Sequence, residues 1–249
     1  MNSCITCKEA IEHCMSTHTF AFAHLYGDEK IMDMHIHNCC EVYYSISGGK
    51  QFLIDHCLYD IRPGDLFLIN QFESHHLTQI DQQTHERIIL SIDPEYLSKL
   101  STGATDLGHC FSFRDTRMPH QIHLSPKEQN RFMYFIHELH DDGGMGEDLL
   151  DQAIFLELMV FLNRAFAARC TDAAAPAPAP SSNYHAQVDA ILSYINSHIG
   201  EPLTLAGLSA HFFMSTSYLC RIFKEATGTT INKYITAKPV SYTHLTLPT

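Results

Sequence analysis

Three histidines and a glutamate stand at spacings that could support metal or ligand chemistry. His35 and His37 are two residues apart, Glu41 follows shortly after them, and His75 lies further along the chain. Residues two apart on a strand share a face, so the first two imidazoles are expected to point the same way. With Glu41 and His75 they offer nitrogen and oxygen donors suited to iron, manganese, zinc or nickel.

The preferred interpretation of this cluster is the polar floor of a pocket for an organic ligand. The candidate lining residues are His35, His37, Glu41, Tyr43 and His75. Aromatic and β-branched neighbours would supply the apolar walls that such pockets need. This interpretation predicts a small-molecule effector, no cofactor and no catalytic residue. The alternative is a metal site formed by His35, His37, Glu41 and His75.

Two groups of cysteines near the N-terminus carry weaker signals. Cys4 and Cys7 have the spacing of half a zinc ribbon, but no second Cys-x2-Cys follows. Cys39 and Cys40 stand beside the histidines, where they could be redox-sensitive or could pack as small apolar side chains. The sequence contains no phosphate loop, Rossmann fingerprint or nucleophile elbow.

Short β-rich runs between about residues 19 and 93 must position the cluster. Turn signals such as Ser47-Gly-Gly49 and Arg62-Pro-Gly-Asp65 separate several of these runs. Many short strands with such punctuation indicate an antiparallel barrel or sandwich. The expected strands cover residues 20–26, 31–37, 41–47, 51–55, 66–70 and 87–92.

Two helices are expected after the strands. The segment Ser125-Pro-Lys-Glu128 has the pattern of a capping box with proline at the first helical position. A longer helix is predicted over about 147–169. Its apolar stripe consists of Leu150, Ile154, Leu158, Phe161, Leu162 and Ala165. The stripe could cover the barrel or form a dimer interface, and its width favours a homodimer.

A proline- and alanine-rich stretch at 173–183 separates these helices from a short C-terminal segment. Alternating proline and alanine favour an extended linker. Thr204 and Ser215 then cap two short helices separated by a tight turn, which is typical of a helix-turn-helix that binds double-stranded promoter DNA. The outward residues of its second helix are Thr216, Ser217, Cys220, Arg221 and Lys224. The guanidinium of Arg221 can donate two hydrogen bonds to the edge of a guanine, and the ammonium of Lys224 is suited to a contact with a backbone phosphate.

Composition and charge limit the class of protein. The hydrophobic content of 45% and the charged content of 18% are globular values. No apolar run approaches the ~20 residues that span a bilayer, and the N-terminus shows no secretory signal. With nine cysteines, these features predict a cytoplasmic protein without a membrane partner. The net charge of the chain is −12. Residues 184–239 contain four basic and three acidic residues and so carry +1, while the rest of the chain carries −13. This division fits an acidic sensor joined to a DNA-binding segment.

Residues 188–238 resemble the DNA-binding domain of AraC-type transcription regulators. The resemblance rests on Tyr194-Ile195, on Glu201-Pro-Leu-Thr-Leu205, on Ser215 and on the run from Tyr218 to Gly228. It implies that Ser217, Cys220 and Arg221 lie where the family's first recognition helix reads bases. Family members continue into a second helix-turn-helix, whereas residues 239–249 have no helical pattern and resemble a translated sequencing adapter. The expectation is therefore the first half of the domain followed by a non-native tail.

The histidine cluster resembles the first motif of the cupin family. His35, His37, Glu41 and Gly48 fit its spacing. A second motif fits in outline through Gly64, Asn70, Phe72 and His75, although its usual proline and second glycine are replaced. AraC-type sensor domains resemble cupins in fold, so this similarity implies a cupin-like sensing barrel.

These observations predict an α+β chain of two domains. A cupin-like sensing and dimerisation domain, an antiparallel barrel followed by two helices, is expected at 1–172, the linker at 173–183, the partial all-α AraC-type helix-turn-helix domain at 184–238 and the tail at 239–249. The expected function is ligand-responsive, sequence-specific transcription control, as activator or repressor, by a regulator that senses a small metabolite such as a sugar. The alternatives are a metal-dependent cupin enzyme (a dioxygenase or isomerase) and a metal or redox sensor. The helix-turn-helix argues against an enzyme.

Overall fold

The structure, a computed structural model, describes most of the chain between residues 6 and 237. The described residues are 6–26, 34–49, 51–54, 57–79, 85–112, 120–139, 144–171, 187–188, 190–192, 194–195, 198, 202–227 and 230–237. The predicted linker at 173–183 and the predicted tail at 239–249 lie outside them. The chain forms two compact units, one of Met1–Ile54 and Tyr59–Ala177 and the other of Asp55–Leu58 and Pro178–Thr249.

Two β-sheets form the centre of the first unit. After helix α1 (Cys7–Thr17), the strands are β1 (Phe20–Leu25), β2 (Cys40–Ser45), β3 (Gln51–Ile54), β4 (Cys57–Asp60), β5 (Asp65–Ile69), β6 (His75–Gln79), β7 (Arg87–Ile92) and β8 (Gln121–His123). One sheet has the order β1-β7-β2-β5-β8 with antiparallel neighbours, and the other has the order β4-β3-β6. The predicted α+β class, an antiparallel N-terminal sheet domain and a helical C-terminal region, is confirmed, but helix α1 before the strands was not predicted.

The strand predicted over 31–37 is wrong where the structure describes it. Residues 34–37 form no strand, and His35 makes an isolated antiparallel bridge with His75 through backbone hydrogen bonds of 3.1 and 3.3 Å. Ile36 is 45% exposed, so its side chain has no second layer to pack against and a longer ladder gains little. The alternation itself persists, because both histidines reach the interior while Ile36 points outward.

Alternate residues of the five-stranded sheet serve two different layers. On the outer face Val42 pairs with Leu68 and Leu90, and these side chains are fully buried. On the inner face Glu41, Tyr43 and Ile89 lie between the two sheets, together with apolar residues of α1, β3 and β6. The strands are therefore buried on both faces and appear in the sequence as nearly continuous apolar runs.

Helices cover the outer face of the sheet. They are α2 (Pro94–Leu100), α3 (His109–Ser112), α4 (Pro126–Glu138) and α5 (Glu147–Thr171). The capping box at the start of α4 is confirmed, because the Ser125 hydroxyl accepts from the backbone N–H of Glu128 and the Glu128 carboxylate accepts from that of Ser125. Arg169 of α5 donates to both carboxylate oxygens of Glu128 at 2.8 Å, which fastens the two helices together.

The apolar stripe predicted on α5 is divided between the core and a partly exposed surface. Leu158, Leu162 and Ala165 are buried against the sheet, whereas Leu150 is 66% exposed. Ile154 and Phe161 are partly buried at the edge of the same core. The part of the stripe that includes Leu158 therefore stabilises this unit itself and is not available for a dimer contact.

The second unit contains the predicted helix-turn-helix. Helical residues occur at 187–188, 190–192 and 194–195, followed by α6 (Leu205–His211), α7 (Thr216–Thr227) and α8 (Ile231–Ala237). The Thr204 hydroxyl caps α6 by accepting from the backbone N–H of Gly207, and the Ser215 hydroxyl accepts from that of Tyr218 in the first turn of α7. The buried core comprises Val188, Ile191, Leu192, Ile195, Leu208, Leu219, Ile222, Phe223, Ile231 and Tyr234. In the part of the chain that the structure describes, no helix combines the length and apolarity needed to cross a bilayer.

Candidate functional site

The structure brings the predicted histidines together in the interior of the first unit. One ligand nitrogen from each of His35, His37 and His75 lies within 4.8 Å of the other two. The bridge between His35 and His75 places the first residue of β6 beside the segment that leads into β2. Glu41 follows on β2 itself, so three separate backbone segments supply the cluster, which we call the His/Glu site (His35, His37, Glu41 and His75).

Glu41 is the buried anion of the His/Glu site. Its side chain is 2% exposed, and its Oε2 lies 3.1 Å from His37 Nε2 and 3.8 Å from His75 Nε2. Burial by itself would raise the carboxyl pKa, but the charge of His75 and the hydrogen bond with His37 outweigh it and hold the pKa well below its usual range. Glu41 is therefore a carboxylate at neutral pH.

His37 is charged in the site when no metal is bound. Burial lowers its pKa, but hydrogen bonds with Cys39 and Glu41 outweigh that effect and raise the pKa to about 10. His37 Nδ1 lies 2.9 Å from the Cys39 carbonyl oxygen, and His75 Nδ1 lies 2.9 Å from the Glu73 carbonyl oxygen. A carbonyl can only accept, so each Nδ1–H donates and each Nε2 is presented to the site.

Three residues of the His/Glu site, His35, Glu41 and His75, line a cavity of about 20 Å³. That volume holds a single water molecule or ion, whereas pockets for organic ligands usually measure several hundred Å³. His75 Nε2 is buried in this wall and makes no hydrogen bond with any described residue. Three imidazole nitrogens and one carboxylate oxygen are a donor set that Zn²⁺, Mn²⁺ or Fe²⁺ accepts at about 2 Å. The residues present therefore fit a divalent transition metal after a small contraction.

Tyr43 lines the same cavity, but its hydroxyl group is already engaged. The hydroxyl lies 2.6 Å from His85 Nε2, and His85 Nδ1 donates to the carbonyl oxygen of Gly48. Burial raises the pKa of Tyr43, so the group stays a neutral phenol that donates to His85. Tyr43 therefore contributes its ring to the cavity wall and its hydroxyl to an adjoining hydrogen-bond chain.

Sequence reasoning missed two polar residues in the cavity wall. Arg87, which is 1% exposed, and His76, which is 4% exposed, line the cavity beside His35, Glu41 and His75. The available signal was an arginine at the start of an apolar strand, where a charged side chain reaches the interior only if it has a polar environment there.

A cysteine adjoins the His/Glu site. Cys39 Sγ lies 3.3 Å from His37 Nδ1, whereas the Cys14 thiol of α1 donates to the Thr19 carbonyl oxygen at 3.6 Å. The neighbouring Cys14 thiol and the hydrogen bond with His37 lower the pKa of Cys39 to about 6, although burial opposes them. Cys40, the next residue, belongs to the outer face, where its Sγ donates to Asn70 Oδ1 at 3.6 Å.

The predicted DNA-reading residues share the exposed side of α7. Thr216, Ser217, Arg221 and Lys224 are exposed and Cys220 is partly exposed, while Leu219, Ile222 and Phe223 on the opposite side are fully buried. The Arg221 guanidinium carbon lies 5.2 Å from the centre of the Tyr218 ring. The ring quadrupole attracts a cation at this distance, so Tyr218 holds the guanidinium at this surface. Tyr218, 38% exposed on the same side, was not among the predicted residues.

Comparisons with known proteins agree with this architecture. Residues 19–159 match the family model described as the AraC-like ligand binding domain, and residues 195–236 match that of the bacterial regulatory helix-turn-helix proteins of the AraC family. The HTH-type transcriptional regulator YbfI of Bacillus subtilis (strain 168) is 25% identical over 202 residues, which are 81% of this chain and 68% of that protein.

Two solved structures give further points of comparison. ToxT from Vibrio cholerae has a TM-score of 0.40 at 10% identity, with 88% of this chain and 98% of that chain covered. The AraC-like transcriptional activator CuxR has a TM-score of 0.36 at 14% identity, with 80% and 65% covered. The matched family models and the relative from Bacillus subtilis point to a transcription regulator rather than an enzyme. The chain belongs to the AraC family of bacterial regulatory helix-turn-helix proteins and carries an AraC-like ligand-binding domain.

Proposed function

We propose that this regulator controls transcription in response to an effector bound at the His/Glu site, and that the effector is a divalent transition-metal ion. The observation that carries the proposal is the cluster of three imidazoles and one carboxylate, of which His35, Glu41 and His75 line a cavity the size of one ion. The buried His75 Nε2, which makes no hydrogen bond with a described residue, supplies a ligand atom in the neutral form of its imidazole. Binding must displace the proton of His37, because a metal takes up the neutral imidazole.

A small metabolite such as a sugar is the second candidate effector. Arg87 and His76 favour it, because they add hydrogen-bonding groups to the wall that contains His35, Glu41 and His75. A molecule of that size needs roughly 300 Å³ or more, so the cavity of about 20 Å³ would have to widen. The metal ion is the better match to a cavity of this size.

The proposed output is sequence-specific binding of promoter DNA in the cytoplasm by the exposed side of α7. Arg221 has the geometry for paired hydrogen bonds to guanine, Lys224 suits a phosphate, and the small side chains of Thr216, Ser217 and Cys220 allow close approach to the major groove. An effector changes this binding only if it prefers one arrangement of the protein over another. We propose the same domain limits as the sequence predicts, 1–172 and 184–238 with a linker between them.

The function is tested by fluorescence anisotropy of the full chain on DNA from the promoter region of its own gene. Zn²⁺, Mn²⁺, Fe²⁺, Co²⁺ and Ni²⁺ are added separately, and at least one ion is expected to change the Kd about tenfold or more, within the usual range of coupling. Glu41→Gln should abolish the response. His137→Ala is the matched control, because that histidine is 85% exposed on α4. A Kd that no ion changes contradicts metal sensing, and a response to organic metabolites alone supports the second candidate.

The partner proposed for α5 is a second copy of the chain. A surface groove of about 510 Å³ runs between α4 and α5, lined on α5 by Leu156, Glu157, Val160, Phe161 and Arg164. An antiparallel two-fold contact centred between Val160 and Phe161 sets Glu157 of one copy opposite Arg164 of the other, so the surface is complementary to itself.

Sedimentation velocity tests this dimer by charge exchange. Arg164→Glu should give monomers, because it places two acidic residues opposite each other. The double variant Glu157→Arg with Arg164→Glu should restore the dimer. A wild-type protein that is monomeric at tens of micromolar, or a double variant that stays monomeric, contradicts the proposed contact.

A further inference from the structure

The turn between β5 and β6 contacts two histidines of the His/Glu site through its backbone. It consists of residues 70–74, and we call it the 70–74 turn. The backbone N–H of Phe72 donates to the carbonyl oxygen of His37 at 2.8 Å. The carbonyl oxygen of the next residue, Glu73, lies 2.9 Å from Nδ1 of His75. One short turn therefore holds the main chain at His37 and the ring of His75.

The 70–74 turn has a backbone conformation that its own sequence does not favour. Phe72 has a φ of +63°, in the left-handed region that residues with a Cβ rarely adopt. Its side chain is half exposed, so packing of the ring gives only limited compensation. A strained residue persists where the surrounding contacts determine the backbone. The polar contacts of the turn are therefore expected to supply that support.

The Glu73 carboxylate closes the turn. Its Oε2 accepts a hydrogen bond from the backbone N–H of Asn70 at 2.7 Å. In the opposite direction, the backbone N–H of Glu73 donates to the carbonyl oxygen of Asn70 at 3.3 Å. The first of these bonds has an ionised acceptor, which makes it stronger than a bond between neutral groups. The two bonds join the first and the fourth residue of the turn, with Phe72 between them.

A second segment of the first unit holds the same carboxylate from the side of β8. Glu73 Oε2 lies 3.3 Å from Nε2 of His120, the residue before β8, in a close polar contact that is not aligned as a hydrogen bond. His120 is buried and is itself held by Tyr59. Its Nδ1 lies 2.8 Å from the Tyr59 hydroxyl oxygen, and its backbone N–H donates to that oxygen at 3.3 Å. The Glu73 carboxylate therefore lies between the turn and β8.

We propose that Glu73 is a positioning residue of the His/Glu site. It acts through His75, because its carboxylate fixes the 70–74 turn and its carbonyl oxygen holds Nδ1 of that ring, so that Nε2 faces the cavity. The role rests on the proposed function, in which this Nε2 binds the metal ion. Groups that orient a metal-binding imidazole contribute about 10–100-fold to metal affinity.

NMR of the metal-free chain with ¹⁵N-labelled histidine tests the orientation without any metal. The Nδ1–H of His75, assigned by its absence from the spectrum of His75→Ala, is expected to exchange slowly with water in the wild type. Glu73→Ala should release the turn and speed this exchange roughly tenfold, which corresponds to the loss of one hydrogen bond. Glu73→Gln should keep the slow exchange, because its amide oxygen can still accept from the Asn70 N–H. The matched control is Glu95→Ala, which removes a carboxylate that is 75% exposed on α2.

Calorimetric titration with Zn²⁺ then relates the orientation to binding. Glu73→Ala should bind one ion about 10–100-fold more weakly than the wild type, while Glu73→Gln and Glu95→Ala should bind it as the wild type does. Leu90→Ala separates orientation from stability, because it destabilises the outer core and should leave the Zn²⁺ affinity unchanged.

Three outcomes would overturn the inference. The first is slow, wild-type exchange of the His75 Nδ1–H in Glu73→Ala, and the second is wild-type Zn²⁺ affinity in that variant. The third is a Glu73→Gln variant that behaves as Glu73→Ala does, because the hydrogen bond to Asn70 would then not be the cause. A wild type that binds no ion contradicts the proposed effector instead, and the exchange rates then decide by themselves whether Glu73 orients His75.

Discussion

The two faces of the five-stranded sheet carry opposite kinds of side chain on the same strands. On the outer face Val42, Leu68 and Leu90 are fully buried beneath α4 and α5 in an apolar cluster. The neighbouring residues along each strand point to the inner face. There Glu41 and Arg87 place charged groups in an interior that is equally buried. Burial is the same on both sides, and only the chemistry differs.

This difference separates stability from function. Apolar side chains on the outer face contribute free energy in proportion to the area they bury. The charged groups on the inner face lose hydration, and their mutual attraction compensates for that loss only in part. A sheet that keeps such groups is therefore better explained by ligand binding than by stability, and substitutions at neighbouring positions can separate the two roles.

The largest expected effect on stability is that of Leu90→Ala on the outer face. Leu90 is fully buried between the sheet and the helices, so the change removes apolar contacts and leaves a cavity. The free energy of unfolding should fall by ~2–5 kcal/mol, measured by urea denaturation of the metal-free protein. A loss below ~1 kcal/mol would contradict tight packing of the outer face around Leu90.

The second prediction concerns the pH dependence that the inner face gives to stability. The His37 pKa is raised from 6.5 to about 10, so its stabilisation is complete below pH 6.5 and is lost as the pH rises toward 10. The Glu41 pKa is lowered from 4.5, so its contribution is present above pH 4.5 and is lost on acidification. The Tm of metal-free protein should therefore fall by several degrees between pH 6.5 and pH 10, and Glu41→Gln should flatten this dependence. An equal fall of the Tm with pH in the wild type and in Glu41→Gln would contradict the role of Glu41 in keeping His37 charged.

A smaller effect on stability is expected from loss of the ion pair between Glu128 of α4 and Arg169 of α5. Arg169→Met removes both hydrogen bonds to Glu128. Because both side chains are about one-third exposed, solvent screening limits the loss to ~1 kcal/mol at neutral pH. The hydrogen bond with Arg169 lowers the Glu128 pKa to about 2, so the difference between wild type and variant should shrink as the pH falls from 4.5 toward 2. Urea denaturation at two pH values measures it.

The smallest effect is expected for Ser91→Ala, next to Leu90 but on the inner face. Ser91 pairs with Glu41 across the strands, and its buried Oγ makes no hydrogen bond with a described residue. Removal of a buried hydroxyl without a partner should leave stability unchanged or raise it by less than ~1 kcal/mol. A large loss in the same urea experiment would show that the hydroxyl has a partner in the folded protein.

Much of this arrangement could be predicted from short-range patterns, and the rest depends on contacts between distant segments. The spacing of His35, His37 and Glu41 placed them together, and the capping box of Ser125 placed the start of α4. Arg87 and His76 were missed, because only the pairing of distant strands brings them to the site. The two faces of the sheet could not be distinguished by hydropathy, since both are buried. The 25-residue helix α5 is apolar on several sides, so its sequence did not separate the side that faces the core from the side proposed to meet a second copy.

The proposed metal site is tested most directly by calorimetric titration of Zn²⁺ into the metal-free chain at neutral pH. One ion per chain is expected for the wild type, for Leu90→Ala and for Ser91→Ala. Binding at least ~100-fold weaker is expected for Glu41→Gln and His75→Ala, because each removes a direct ligand, whereas loss of a group that merely supports a ligand costs 10–100-fold. A wild type that binds no ion would contradict the claim that the inner face of the sheet holds the effector. Glu41→Gln and His75→Ala variants that bind Zn²⁺ as tightly as the wild type would contradict it as well.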